Sequence, residues 1–341
     1  ARKNAKGKPD YGTVAPIGTG PYKTTKVVAG ESVAMEKNAD YWKGSPKGSP
    51  SIGKIMFRTI SDPEAQIAEL LSGSIDWIWD VPKDKAEQLK LIGTNKVMNV
   101  PTMRISYITM DRAGRSGKGK ENPFYNKKVR QAVAHAIDRN AIAKELVGGA
   151  SQVIHSACFP TQFGCTQDVP KYAYDPAKSK QLLAEAGYPN GFSTEIMAYR
   201  QREYTEAVMG YLAKVGIKSS LKYMQYKALR GIVWDGKAPF HHMTWGSYSM
   251  NDVSAITSHF FKQGRDDYCV DDEIKGWLET GDSNVDPKVR KDAYKKALSK
   301  LSGELCWLPM FTYAKYYAFS HDLDFTPTAD EIPRFFTAKW K

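Results

Sequence analysis

Apolar and polar positions along this chain switch between a period of two and a period near 3.6, which marks out strands and helices. Ser32–Lys37 alternates, Lys54–Ile60 sets Ile55, Phe57 and Thr59 on one face, and Ile75–Asp80 interleaves Trp and Ile with acidic residues. These three are read as strands, with Trp77 and Trp79 assigned to core, and Arg104–Met110, Ser193–Tyr199 and Lys218–Tyr226 follow them. Helices open on a repeated device, an Asp cap followed by Pro, at Asp62-Pro63, Asp175-Pro176 and Asp286-Pro287. The first buries Ile67, Leu70 and Leu71 and stops at Gly73; the second stops at Gly187; the last turns Val289, Ala297, Leu298 and Leu301 inward. Shorter or uncapped helices are predicted over Asp84–Leu91 and Glu203–Val215. Another runs through Val129, Val133, Ala136 and Ile137. Asp138 caps one more, with Ile142 and Leu146 inward and Gly148-Gly149 at its end. Strand, helix and strand recur in order, which predicts an α/β fold with partly parallel sheets.

One stretch breaks the pattern. Thr244–Phe261, TWGSYSMNDVSAITSHFF, begins as a buried strand, breaks at Gly246, passes through small polar residues and one Tyr, and then resumes apolar spacing. Packing gives no reason to set aromatics beside so many hydroxyls, and loops at element ends are where binding groups are placed. Trp245 is the candidate for stacking, and Ser247, Tyr248, Ser249, Asn251 and Asp252 for hydrogen bonds. A second candidate is Tyr199-Arg200-Gln201-Arg202-Glu203, where a strand meets a helix start that suits an anion such as a carboxylate. An ordinary exposed helix start is the competing reading for the Arg pair.

Composition narrows the function. With 341 residues, two lobes are expected. The net charge of +12 raises nucleic-acid binding, but Lys and Arg are spread along the whole chain. The densest basic patches, Ala1–Lys8 and Arg112–Lys120, read as solvated tail and loop, and residues 1–16 as flexible, so no nucleic-acid partner is expected. No stretch has the apolar length of a membrane span, and the start lacks the apolar core of a signal peptide. Cys158 and Cys165 bracket a short Pro/Gly loop that a disulfide would close, leaving Cys269 and Cys306 for a second; four buried thiols are the alternative. Cysteine spacing fits no zinc site. His241 and His242 are adjacent and point to opposite faces of a strand. His135 and His259 read as structural, and the acidic run Asp266-Asp267, Asp271-Asp272-Glu273 as a solvated surface or a helix start. The glycines of Ile17–Tyr22 fail as a phosphate loop, since no Lys-Ser/Thr follows and Pro21 blocks the helix. No nucleophile sits with a base. An enzyme reading rests at best on His259 near Asp252.

Taken together, several segments resemble the family 5 extracellular solute-binding proteins, the peptide, nickel and opine receptors of bacterial ABC importers. IGTGPY at Ile17–Tyr22 is similar to the family's GTGPY turn, and NADYWKG at Asn38–Gly44 to its N-x-x-Y-W-x-G element. Ile55–Asp62 with LLSGSID resembles its F-R-x-I-x-D and L-x-x-G-E-I-D block. NPFYNKKVRQAVAHAIDRNAI, DPAKSKQLLAEAGYPNGF, LAKVGIKSSL and the Thr244-Trp245-Gly246 loop extend the resemblance nearly end to end.

The resemblance implies a two-lobed periplasmic-binding-protein architecture of the class II, cluster C type. Residues 1–103 and 311–341 would form part of lobe I, and 104–310 lobe II, with the crossings between them as a hinge. It implies a periplasmic protein without catalysis or cofactor, holding a short peptide or a peptide-like carboxylate such as an opine between its lobes and delivering it to inner-membrane permease subunits. The family carries a long segment before its GTGPY turn, so lobe I is expected to be incomplete here, its remainder on a separate or cleaved fragment or outside this sequence. The family's carboxylate-binding Arg matches Arg202. Its amine-binding Asp falls at Tyr248 or Ser249, with Asp252 a few residues late, so Arg202 is expected to carry the charge recognition. The implied contact set is Tyr199, Arg202, Trp245, Gly246, Ser247, Tyr248 and Asp252.

Overall fold

The computed structural model describes residue 7, residues 16–118 and residues 121–341. The tail assigned to residues 1–16 lies almost wholly outside the described residues, as do Gly119 and Lys120 of the second basic patch. The chain divides into two compact units, one of residues up to Val100 with Lys315–Lys341 and one of Pro101–Ala314.

The first unit opens with an antiparallel sheet of β1 (Tyr22–Val28), β2 (Ser32–Lys37) and β3 (Lys54–Arg58). Helix α1 (Pro63–Leu71) starts as its sequence requires: Asp62 accepts the amide of Glu64, and Pro63 occupies the first turn, where a missing N–H costs nothing. Leu70 is buried, but Leu71 is exposed, because the helix presents a narrower stripe than its apolar residues allow. After β4 (Trp77–Trp79) and α2 (Lys83–Ile92), strand β5 (Asn95–Met110) leaves this unit at Val100 and continues in the second.

In the second unit a helical stretch holds α3 (Lys127–Ala136) and α4 (Arg139–Ala141), which runs on as a π-helical turn over Ile142–Val147. Then come α5 (Pro176–Glu185), β6 (Phe192–Ala198), α6 (Arg202–Ala213), β7 (Ile217–Tyr223), α7 (Tyr226–Trp234), β8 (Phe240–Gly246), α8 (Ser254–Phe260), α9 (Asp272–Ser283) and α10 (Pro287–Glu304). Strands β6 and β7 are parallel, β6 and β8 are parallel, and β5 runs antiparallel to β8 with Arg104 opposite Gly246. The predicted strand to Tyr226 ends at Tyr223, and Tyr226 starts a helix instead.

Successive residues of β5 feed different cores, as a pleated strand requires. Ile105 and Tyr107 pack with residues of α7–α10, while Ile108 and Met110 pack with α3, α5 and α6. Helices therefore cover both faces of this sheet, and each fully buried large side chain contributes about 1.5–3 kcal/mol. Trp307 stacks on Tyr107 at 3.5 Å between ring centres. Val289, expected inside, is partly exposed at the first turn of α10.

Strand β9 (Trp307–Ser320), absent from the predicted elements, carries the chain back into the first unit, followed by the short pair β10 (Leu323–Asp324) and β11 (Lys339–Trp340). There β4 pairs with its far half, Trp77 opposite Phe319. The first unit carries a half-open hollow of about 850 Å³ lined by Ile55, Phe57, Ile75, Trp77 and Trp79 among others. Buried Lys315 is neutralised within the same unit by Glu331 at 3.2 Å and Asp80 at 3.6 Å.

The basic patch read as a solvated loop is partly structural. Arg112 binds the Cys269 carbonyl and Asp271, and Arg115 donates to the carbonyls of Arg265, Asp267 and Trp234. These arginines satisfy loop and helix-end carbonyls that lie outside the strand ladders. Asp271 caps α9 through the amide of Ile274, with Asp272 and Glu273 in its first turn.

Candidate functional site

Parallel strands end on one side of a sheet, and the loops that leave their carboxyl ends gather there. In the second unit, the β6 loop holds Tyr199–Gln201 and the β8 loop begins at Ser247. The β6 loop is tied to the end of β8 itself: the Tyr199 hydroxyl and Thr244 Oγ1 are 2.8 Å apart, and Arg104 Nη1 donates to the same Thr244 oxygen at 3.1 Å. Arg104 is nearly buried, opposite Gly246 in the strand register. Sequence spacing gave it no special role, because only the pairing of β5 with β8 brings it here.

On the β6 side, Gln201 adopts φ 34°, which turns the chain sharply into α6. Its Oε1 accepts from the Tyr313 hydroxyl at 3.3 Å, and the Arg200 guanidinium lies 5.8 Å from the centre of that ring. Burial pushes the Tyr313 phenol well above its ordinary value, with Arg200 acting in the opposite sense, so it stays a neutral donor. Arg202, the first residue of α6, is 60% exposed; it pairs with Glu206 on its own helix at 2.7 Å and lies over the Tyr223 ring. An exposed i,i+4 pair of this kind is weak, so an anionic ligand competes with it at little cost.

On the β8 side, Trp245 is committed to its own unit. Its indole N–H donates to the Ala255 carbonyl at 3.0 Å, one face stacks on His259 at 4.8 Å, and its edge meets Phe260. Gly246 lies in the strand, and the Ser247 amide donates to Met103. The Ser247 hydroxyl is buried and makes no hydrogen bond among the described residues. A buried donor in that condition is costly unless something else meets it. Tyr248 sits at φ 47° with its ring exposed. Asp252 does not project free: one carboxylate oxygen accepts the Ser254 amide, and the other holds Arg290 at 2.8 Å.

The histidines fall into structural roles. His241 Nδ1 meets the Ala238 carbonyl, and His242 sits between Ser106 and Thr205. Burial drives both imidazoles down to about 4. His135 Nδ1 meets the Ala173 carbonyl. His259 pairs with Asp266 at 3.2 Å instead of Asp252. Disulfides join Cys158 to Cys165 and Cys269 to Cys306. Among the described residues no group of His, Cys, Asp and Glu could hold a metal ion, and no helix is long and apolar enough to cross a membrane.

Residues 2–267 match the family described as bacterial extracellular solute-binding proteins, family 5 middle. The chain belongs to that family. The glutathione-binding protein GsiB of Escherichia coli K12 is 26% identical over 324 residues, covering 90% of this chain and 61% of that protein. The chain thus spans about three fifths of the length of the curated relatives it matches. The periplasmic binding protein DppA of Helicobacter pylori, solved with the peptide STSA, superposes with a TM-score of 0.83 at 23% identity over 95% of this chain and 63% of that one. NikA of Staphylococcus aureus, solved with Ni(L-His)2, gives 0.79 at 19% identity over 95% and 69%. These likenesses show the fold of the two-lobed periplasmic binding proteins.

Proposed function

We propose that this chain is part of a substrate-binding protein of a bacterial ABC importer, exported to the periplasm, which captures a short peptide or peptide-like carboxylate and presents it to membrane permease subunits. The observation that carries this reading is the Tyr199–Thr244 hydrogen bond, which ties the loop leading to the exposed Arg202 to the end of β8, from which the Ser247–Asp252 loop departs. Arg202 meets the carboxylate, Tyr199, Tyr248 and the Trp245 edge form the wall, and the Ser247 hydroxyl and Gly246 backbone read the peptide groups. The peptide bound by DppA and the glutathione bound by GsiB, each a carboxylate on a peptide chain, support the ligand class. An opine shares that chemistry and belongs in the same screen.

The protein works by binding alone. The enzyme alternative needed His259 beside Asp252, and each of those side chains is engaged elsewhere. The test is a thermal-shift screen of the full-length protein with di- and tripeptides, glutathione and opines. A ligand at a hundred times its Kd adds about 2.7 kcal/mol to stability, so a rise of several degrees in Tm is expected for at least one of them. No shift with any member contradicts the reading.

A further inference from the structure

The loop that carries Tyr248 is strapped from behind. The Cys158–Cys165 disulfide closes a small ring, and inside it Gln162, itself 3% exposed, points its amide at this loop. Gln162 Nε2 donates to the carbonyls of Met250 at 3.1 Å and Asp252 at 3.3 Å, while its Oε1 accepts the Phe159 amide. The backbone continues the attachment, with Phe163 N–H on the Asn251 carbonyl and Val253 N–H on the Phe163 carbonyl, each at 3.0 Å. From the other flank Arg290 holds the Asp252 carboxylate at 2.8 Å and packs its guanidinium 4.8 Å from the Phe163 ring. Arg290 is in turn fixed by Tyr294, whose hydroxyl donates to Asp282, and Lys262 and Ser258 meet that same carboxylate.

We propose that this ring and the Arg290–Asp252 pair form a clamp that presets the Tyr248 loop for ligand, making Gln162, Arg290 and Asp252 positioning residues that do not touch it. The physical reason is entropic. Tyr248 stands exposed at a positive φ, a conformation that costs a non-glycine residue free energy and persists only where its surroundings impose it. A loop ordered beforehand spares the ligand the cost of ordering it, and the gain shows mainly in slower dissociation. The proposal rests on the ligand reading above only for that last step; the strapping itself concerns the free protein.

The experiment therefore has two arms on the full-length protein. Hydrogen exchange of the Phe163 and Val253 amides is measured without ligand in Gln162→Ala, in Cys158→Ser/Cys165→Ser, and in Cys269→Ser/Cys306→Ser as a control. Losing the two Gln162 hydrogen bonds in the first variant, or the covalent closure that holds Gln162 in place in the second, should speed exchange at these amides by about tenfold or more. The control should leave them at the wild-type rate. Unchanged exchange in Gln162→Ala, which keeps the disulfide, overturns the clamp. In the second arm tri-alanine is the probe: Asp252→Ala should release it several-fold faster at nearly unchanged association rate, and Asp252→Asn, which still accepts from Arg290 and Ser254, should restore wild-type release. Equal losses in Asp252→Ala and Asp252→Asn overturn the positioning role. Failure of tri-alanine to bind wild-type protein counts against the ligand reading, and the exchange arm then decides the clamp by itself.

Discussion

The two strand ends that make up the candidate site carry opposite charges and treat them in opposite ways. After β6, Arg202 stands in solvent, held by a neighbour on its own helix. After β8, Asp252 is consumed by Arg290, a helix-start amide and a β-bridge to Phe163. In sequence both look like charged handles a few residues beyond a strand. In the fold, one is free to meet a partner at the cost of a weak surface pair, and the other would have to abandon a network. On the reading proposed above, exposure, and not charge, separates recognition from support.

Acid should break the comparison most strongly, and on the β8 side. His241 and His242 lie in that strand, and burial holds each near 4, against an ordinary value of 6.5. The unfolded chain takes up these protons first, so stability is whole above pH 6.5 and falls as pH drops towards 4, by up to about 3 kcal/mol for each imidazole. Denaturant midpoints read between pH 7 and 4.5 check the sign; a midpoint that is flat or rises on acidification contradicts it. Next in size, Trp245→Ala should lower stability by about 3 kcal/mol, since the ring packs on His259 and Phe260. Urea unfolding measures this, and a loss of affinity with no loss of stability would show the ring to be a ligand platform alone.

Smaller effects sharpen the contrast. Arg202→Ala should weaken a carboxylate ligand by about 2 kcal/mol, roughly thirtyfold in Kd, without moving Tm. Ser247→Ala should separate the two readouts. Removing a buried hydroxyl that has no partner among the described residues leaves stability unchanged or slightly higher, while affinity falls by about 1 kcal/mol. Parallel loss of both would assign Ser247 to the scaffold.

Much of this was legible in the chain itself. Asp62, Asp175 and Asp286 cap their helices as their Asp-Pro pairs announce, because capping is a local interaction. The break at Gly246 marks a real strand end, and the helix predicted from Glu203 starts one residue earlier, at Arg202, with no side chain capping it. Strand β9 was not legible: its residues are buried on both faces, so it shows no alternation, and Pro309 interrupts the run. Arg104 and Arg290 were equally hidden. Arg104 reaches the candidate site only through strand register, and Arg290 meets Asp252 across 38 residues, a distance that no periodicity reports. Sequence therefore pointed to the two loops of the candidate site and left open which of their charges are spent within the fold.

The most direct measurement is titration calorimetry of wild-type protein and Arg202→Ala with a short peptide and with the same peptide amidated at its carboxyl end. Wild-type protein should prefer the free carboxylate by roughly thirtyfold, and Arg202→Ala should bind both forms alike. Retention of that preference in Arg202→Ala, or its loss in Asp252→Asn instead, would contradict the division between the two strand ends.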